Sequence, residues 1–255
     1  MSEISQQVDA LQVRVFETRK AMGTAAGQDV VAKINELLRE KEVLRIVFAA
    51  APSQNELLEY LATTKDIDWS RIDVFHMDEY VGLSADAPQR FGHFLTEKLF
   101  AVVKPRTVYL IDDSAGADRA CEQYAHLLSQ APIDIVCLGI GENGHLAFND
   151  PPVADFNDSE IIKRVQLDSI CRQQQVNDGC FPTFDDVPAE ALTLTIPTLL
   201  AGQHLFCVVP GKTKHDAIQN TLYGPITTAC PASILRQHPD CTLYVDQDSY
   251  GQPVA

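Results

Sequence analysis

The stretch Leu138 to Pro151, LGIGENGHLAFNDP, sets a histidine, His145, and a carboxylate, Asp150, in a glycine-rich turn. Histidine ordinarily titrates at about pH 6.5, so this side chain can take up and return a proton near neutrality. Three other short stretches carry groups of complementary kind. Met77-Asp78-Glu79-Tyr80 offers two consecutive carboxylates, Ala50-Ala51-Pro52-Ser53 a hydroxyl where a helix is about to start, and Lys212-Thr213-Lys214 two cations. A carboxylate and a histidine suit proton transfer, and a lysine with free helix-start amides suits an anion. Alone, each stretch has an ordinary explanation as a cap, a surface charge or a structural histidine.

Their placement along the chain argues for a shared pocket. Apolar runs predict strands at Ile46 to Ala49, Ile72 to Met77, Val108 to Ile111, Ile135 to Ile140, Leu192 to Ile196, Leu205 to Val209 and Leu243 to Val245. Helical spacing separates most of them: Val30, Val31, Ile34, Leu37 and Leu38; Leu57, Leu58 and Leu61; Phe91, Phe94, Leu95 and Leu99; Cys121, Tyr124, Leu127 and Leu128. Alternating strands and helices predict an α/β fold with a mostly parallel central sheet. All four polar stretches follow directly on predicted strands, the edge at which open α/β sheets bind ligands. Gly139, Gly141 and Gly144 allow the His145 turn a close approach to a ligand. The segment 152–188, rich in Asp, Asn and Gln, is the least regular part and is expected to be a helical excursion or lid over the site.

Composition bounds the partners. With 255 residues, 45% of them hydrophobic, the chain can bury a full core as one domain spanning 1–255. Its formal net charge of −15, without clustered Lys and Arg, argues against a nucleic-acid partner. It also means that an anionic ligand needs a local cation. MSEISQQVDALQV reads as neither a basic leader nor an apolar anchor, and no run is long enough for a membrane span, so a cytoplasmic protein is expected. Seven irregularly spaced cysteines without a CxxC pair predict packing residues rather than disulfides or a zinc site. The remaining histidines, His76, His93, His126, His204, His215 and His238, show no metal-binding spacing.

MDEYVGL (77–83), the 139–151 loop with its GHxAFNxP core, and ALTLTIPTLL with PASILRQH resemble the glucosamine-6-phosphate deaminase and 6-phosphogluconolactonase superfamily, on its deaminase/isomerase side. The resemblance runs through most of the chain. It implies a modified Rossmann-like three-layer sandwich and conversion of an amino-sugar phosphate into a ketose phosphate and ammonia, with no cofactor and no metal. The matching positions make Asp78 the C2 base and His145 the ring-opening group, with Asn143 and Asp150 as its catalytic supports. Ala51, Ser53, Glu79, Gly141, Gly144 and Lys214 become the substrate-binding residues. A homo-oligomer is plausible for such a fold.

Departures from the family pattern set further expectations. Ala50-Ala51-Pro52-Ser53 replaces a Gly-Gly-Ser/Thr-Pro phosphate loop, and the arginine of an Arg-Phe-Phe stretch is replaced around Asp178-Gly179-Cys180-Phe181, so phosphate affinity should fall. Asn143 stands for a common aspartate, so His145 should be a weaker base; Asp150, one methylene shorter than the usual glutamate, has less reach. Two alternatives stay open. A 6-phosphogluconolactonase needs no C2 base, but usually carries DER where this chain has Asp78-Glu79-Tyr80. A silent sugar-phosphate sensor needs neither Asp78 nor His145.

Overall fold

The computed structural model describes residues 3–252, so Met1, Ser2 and 253–255, which belong to the leader reading and the 1–255 domain expectation, lie outside the described residues. Eight strands form one sheet: β1 (Glu3–Val8), β2 (Leu11–Phe16), β3 (Leu44–Phe48), β4 (Ile72–His76), β6 (Thr107–Tyr109), β7 (Ile135–Leu138), β10 (His204–Val209) and β11 (Cys241–Asp246). Their order is β1-β2-β11-β10-β7-β3-β4-β6, and every pair is parallel except the β1–β2 hairpin. Three short strands, β5 (Asp78–Tyr80), β8 (Ile162–Gln166) and β9 (Glu190–Leu194), form a second, antiparallel sheet in the order β5-β9-β8.

The central strands are buried on both faces, which is why they read as unbroken apolar runs. Successive side chains point to opposite sides of a strand. Leu44, Ile46 and Phe48 of β3 therefore join one core, and Val47 joins the other. The first core is covered by α1 (Arg19–Leu37), α2 (Asn55–Thr63) and α3 (Phe91–Leu95), which continues through a π-helical turn (Thr96–Phe100) into α4 (Ala101–Val103). On the other face lie α5 (Ala117–Ser129) and α8 (His215–Tyr223). Helix α6 (Ser169–Asn177) belongs to the irregular segment, α7 (Ile196–Leu200) follows β9, and α9 (Gln247–Tyr250) follows β11. The result is the α/β three-layer sandwich expected from the sequence. No helix among the described residues is long and apolar enough to cross a membrane.

Two expectations are corrected. The first strand is not at Ile46: the hairpin β1–β2 precedes it, with Leu11, Val13 and Val15 pointing into the core. The run Leu192 to Ile196 is no strand of the main sheet; β9 ends at Leu194 in the small sheet, and Ile196 opens α7. The segment 152–188 contains a helix, α6, as the helical excursion expected of it, and also the strand β8.

Candidate active site

β10, β7, β3 and β4 are neighbours in the main sheet, so the loops leaving their carboxyl ends converge on one edge. They line a cleft that is open to solvent on one side. Ala51 and Ser53 reach it from the β3 end, Asp78 from β4, Gly141 and His145 from β7, and Lys214 from β10.

His145 is held by its own loop. Gly144 has a left-handed φ of +83°, and its N–H closes a turn onto the Gly141 carbonyl at 2.9 Å. A Cβ on Gly141 would lie 2.1–2.3 Å from three atoms of the imidazole, so only glycine lets the ring fold back over its own turn. The far end of the loop is tied to β9: the Phe148 N–H donates to Thr193 Oγ1 at 3.0 Å and Asn149 Nδ2 to the Leu194 carbonyl at 2.8 Å.

Nδ1 of His145 lies 2.8 Å from Asn143 Oδ1 and 3.0 Å from Asp150 Oδ1. Asn143 Nδ2 donates to Asp150 Oδ1 at 3.1 Å and to Asp168 Oδ2 at 3.3 Å, which identifies its Oδ1 as the acceptor facing the ring. Both neighbours of Nδ1 are thus acceptors. Nδ1 carries the hydrogen and Nε2 keeps the lone pair. The shorter Asp150 does reach the imidazole and supplies the negative charge that Asn143 lacks. Burial drives the Asp150 carboxyl upward, but the hydrogen bond and charge of His145, Asn143 and the Asp168 N–H outweigh it and hold the group below its ordinary 3.8. Cys171 of α6 closes this cluster, its sulfur within 4.8 Å of ligand atoms of both His145 and Asp150.

Asp78 is 6% exposed and lines the cleft, and among the described residues no donor hydrogen-bonds its side chain. Burial first, and the neighbouring Glu79 charge second, raise its carboxyl well above the ordinary value. Lys214 is likewise buried in the cleft wall, without an ion-pair partner among the described residues, and burial lowers its ammonium. Lys212, its companion in sequence, is exposed.

Three residues are placed differently from expectation. Glu79 does not line the cleft: it accepts the N–H groups of Tyr80, Phe91 and Gly92, each at 3.0 Å, and so anchors the start of α3. Gly144 shapes the turn without lining the cleft. Ser53 does not cap a helix; it sits inside a 3-10 turn, Pro52–Gln54, and its Oγ accepts from Gln54 Nε2 at 3.1 Å. The cleft also contains residues that sequence reasoning missed, chiefly Gln54 from that turn, Phe91 of α3, Phe148 of the histidine loop, and Gln174 and Gln175 of α6. Asp168, which caps α6 and bonds Asn143, was missed as well.

Known proteins resemble the chain over most of its length. A family model described as glucosamine-6-phosphate isomerases/6-phosphogluconolactonase matches residues 17–244. A protein of Listeria monocytogenes serotype 4a named glucosamine-6-phosphate deaminase is 34% identical over 201 residues, covering 78% of this chain and 84% of its own. A protein of the same name from Streptococcus gordonii is 30% identical over 243 residues, or 95% and 91% of the two chains. Among solved structures, one described as a monomeric glucosamine-6-phosphate deaminase superposes with a TM-score of 0.85 at 28% identity, covering 94% of this chain and 98% of the other. The 6-phosphogluconolactonase of Thermotoga maritima shares the fold, with a TM-score of 0.74 at 23% identity over 92% and 98% of the two chains. The chain belongs to the glucosamine-6-phosphate isomerase/6-phosphogluconolactonase family.

Proposed function

We propose that this protein is an amino-sugar-phosphate deaminase/isomerase, converting glucosamine-6-phosphate or a close relative into a ketose phosphate and ammonia. The observation that carries the reading is the pairing, in one cleft, of a buried carboxylate without donors, Asp78, with a histidine whose Nδ1 is fixed by Asp150 and Asn143. A hydrolase acting on a lactone has use for the histidine but none for Asp78. Relatives at 30–34% identity that carry the deaminase name support the same choice.

The chemistry follows from the groups. His145 Nε2 accepts the anomeric hydroxyl proton and returns it to the ring oxygen, opening the pyranose to the aldehyde. Asp78 removes the proton from C2 while the substrate's own 2-ammonium group passes a proton to the aldehyde oxygen, giving an enolamine across C1 and C2. The carboxyl so formed protonates C1, which leaves an iminium at C2; water adds there, ammonia departs, and the 2-ketose remains. Lys214, with the backbone N–H groups of Ala51 and Ser53, holds the phosphate. Segment 152–188 covers the cleft in this reading, because α6 supplies part of its wall.

We take the protein to act as a monomer, as the structural relative is described, rather than as the homo-oligomer the sequence suggested. A cytoplasmic setting is supported by seven free cysteines, five of them buried. The deciding assay incubates the enzyme with glucosamine-6-phosphate, galactosamine-6-phosphate, their unphosphorylated forms and 6-phosphogluconolactone, following ammonia, ketose and lactone. Ammonia with ketose phosphate is expected. Lactone loss alone, or silence on every substrate, overturns the reading.

A further inference from the structure

Two of the three consecutive glutamines of α6, Gln174 and Gln175, are 5% and 6% exposed, and both line the cleft. Carboxamides buried to this degree normally have both ends engaged. Gln174 does: its Oε1 accepts the Glu142 N–H at 2.9 Å and its Nε2 donates to Asp178 Oδ2 at 3.3 Å. In Gln175 only the oxygen is engaged, accepting the Tyr80 O–H at 2.7 Å; its Nε2 hydrogen-bonds none of the described residues.

Tyr80 is fully buried, its ring packed against Phe91, Phe148 and Phe181 at centroid distances of 4.8–5.4 Å, so its hydroxyl is held in place. With that O–H donating to the carboxamide oxygen, the NH2 is turned away from Tyr80. Tyr80 also stands two residues after Asp78 on β5, so both side chains leave the same side of that strand. Gln174 bonds to the Glu142 N–H and to the Asp178 carboxylate, two residues whose charges act on Lys214, while Gln175 is tied through Tyr80 to the strand that carries Asp78.

Building on the function proposed above, we infer that Gln175 is a specificity-determining residue whose Nε2 donates to a hydroxyl of the sugar close to C2, with Tyr80 as its positioning residue. The donor is neutral, so it selects a hydroxyl-bearing substrate without adding to the hold on the phosphate, which stays with Lys214. A site built to bond a hydroxyl rejects analogues that lack it, because its own donor is then left unpaired.

The test uses wild type, Gln175→Leu, Gln175→Glu and Tyr80→Phe, all checked for an unchanged melting transition. Calorimetry measures binding of 2-amino-2-deoxyglucitol 6-phosphate, an open-chain polyol that cannot isomerise, and of inorganic phosphate. Gln175→Leu should weaken the polyol about tenfold and leave inorganic phosphate within about twofold, the size of one lost hydrogen bond. Gln175→Glu, whose carboxylate can still accept from the same hydroxyl, should weaken it less than Gln175→Leu. Tyr80→Phe should act in the same direction but less. In turnover the loss should fall on KM with kcat nearly kept. Unchanged polyol affinity in Gln175→Leu, or an equal loss for polyol and inorganic phosphate, overturns the assignment. A wild type that binds the polyol but releases no ammonia from the amino sugars removes the deaminase reading while leaving Gln175 to be judged by binding; one that binds neither compound removes both.

Discussion

Asp78 is a largely buried carboxyl group on the cleft wall with no donor among the described residues to stabilise its charge, which makes it reactive and unstable together. Asp78→Asn should lower kcat by about 10²- to 10⁴-fold, the usual range for a lost general base, in an assay of ammonia release. The same variant carries a stability signature. A folded-state pKa raised above the unfolded value means that the folded state favours the neutral form; the associated stability is present below about pH 4 and is lost as pH rises through the raised value. Replacing Asp78 by neutral Asn escapes that loss, so its melting temperature relative to wild type should become more favourable as the pH is raised from about 4 to about 8. Glu79 permits a separate test. Its charge is the second cause of the raised Asp78 value, so Glu79→Gln should shift the acidic limb of kcat/KM to lower pH. It also gives up one acceptor for the α3 amides, at about 1–3 kcal/mol of stability in denaturant unfolding.

The histidine loop shows how an element sets the precision of a residue. Gly141→Ala puts a methyl group onto the imidazole, and the ring has to move from its bonds to Asn143 and Asp150. A displacement of about 1 Å costs on the order of 10²-fold in rate, so kcat should fall by about that much while circular dichroism stays native. This loop, and the strand ends that meet it, were legible in the sequence because strands buried on both faces are continuous apolar runs and their polar sequels stand out. Helix α6 was not legible as a wall of the site. SICRQQQVN has few apolar residues, and Gln174 and Gln175 resemble solvated surface residues until the β5 tyrosine and the histidine loop are folded against them. The hairpin was missed for two different reasons. β1 is mostly exposed and carries no pattern, whereas β2 does alternate Leu11, Val13 and Val15 with Gln12 and Arg14, a signal that was there to be read. Asp150 could not be judged from its length alone, because its distance to His145 depends on how the loop folds back.

At the scale of the whole molecule, a net charge of −15 surrounds a cleft whose buried cation is Lys214. The far field repels an anionic substrate while the near field attracts it. Salt screens the first more than the second, since the screening length shrinks from about 30 Å to about 8 Å between about 0.01 M and 0.15 M. For a sugar phosphate, kcat/KM should therefore rise by about two- to threefold over that interval, the reverse of enzymes with a basic surface, as initial rates at several salt concentrations would show.

The sheet order also governs how the chain can be made. β11, the last strand in sequence, lies between β2 and β10 and is parallel to both, so the amino-terminal hairpin joins the sheet only through it. During synthesis β3, β4, β7 and β10 can pair while β2 and β10 each still present an open ladder. Until Cys241–Asp246 leave the ribosome, two apolar strand edges in the same molecule stay available for pairing with another copy. A chain that lacks Cys241–Asp246 leaves the β2 and β10 edges uncovered and the Gly211 N–H, at the start of the Lys214 turn, without its Asp246 acceptor, so the strand that closes the sheet also completes the cation side of the cleft.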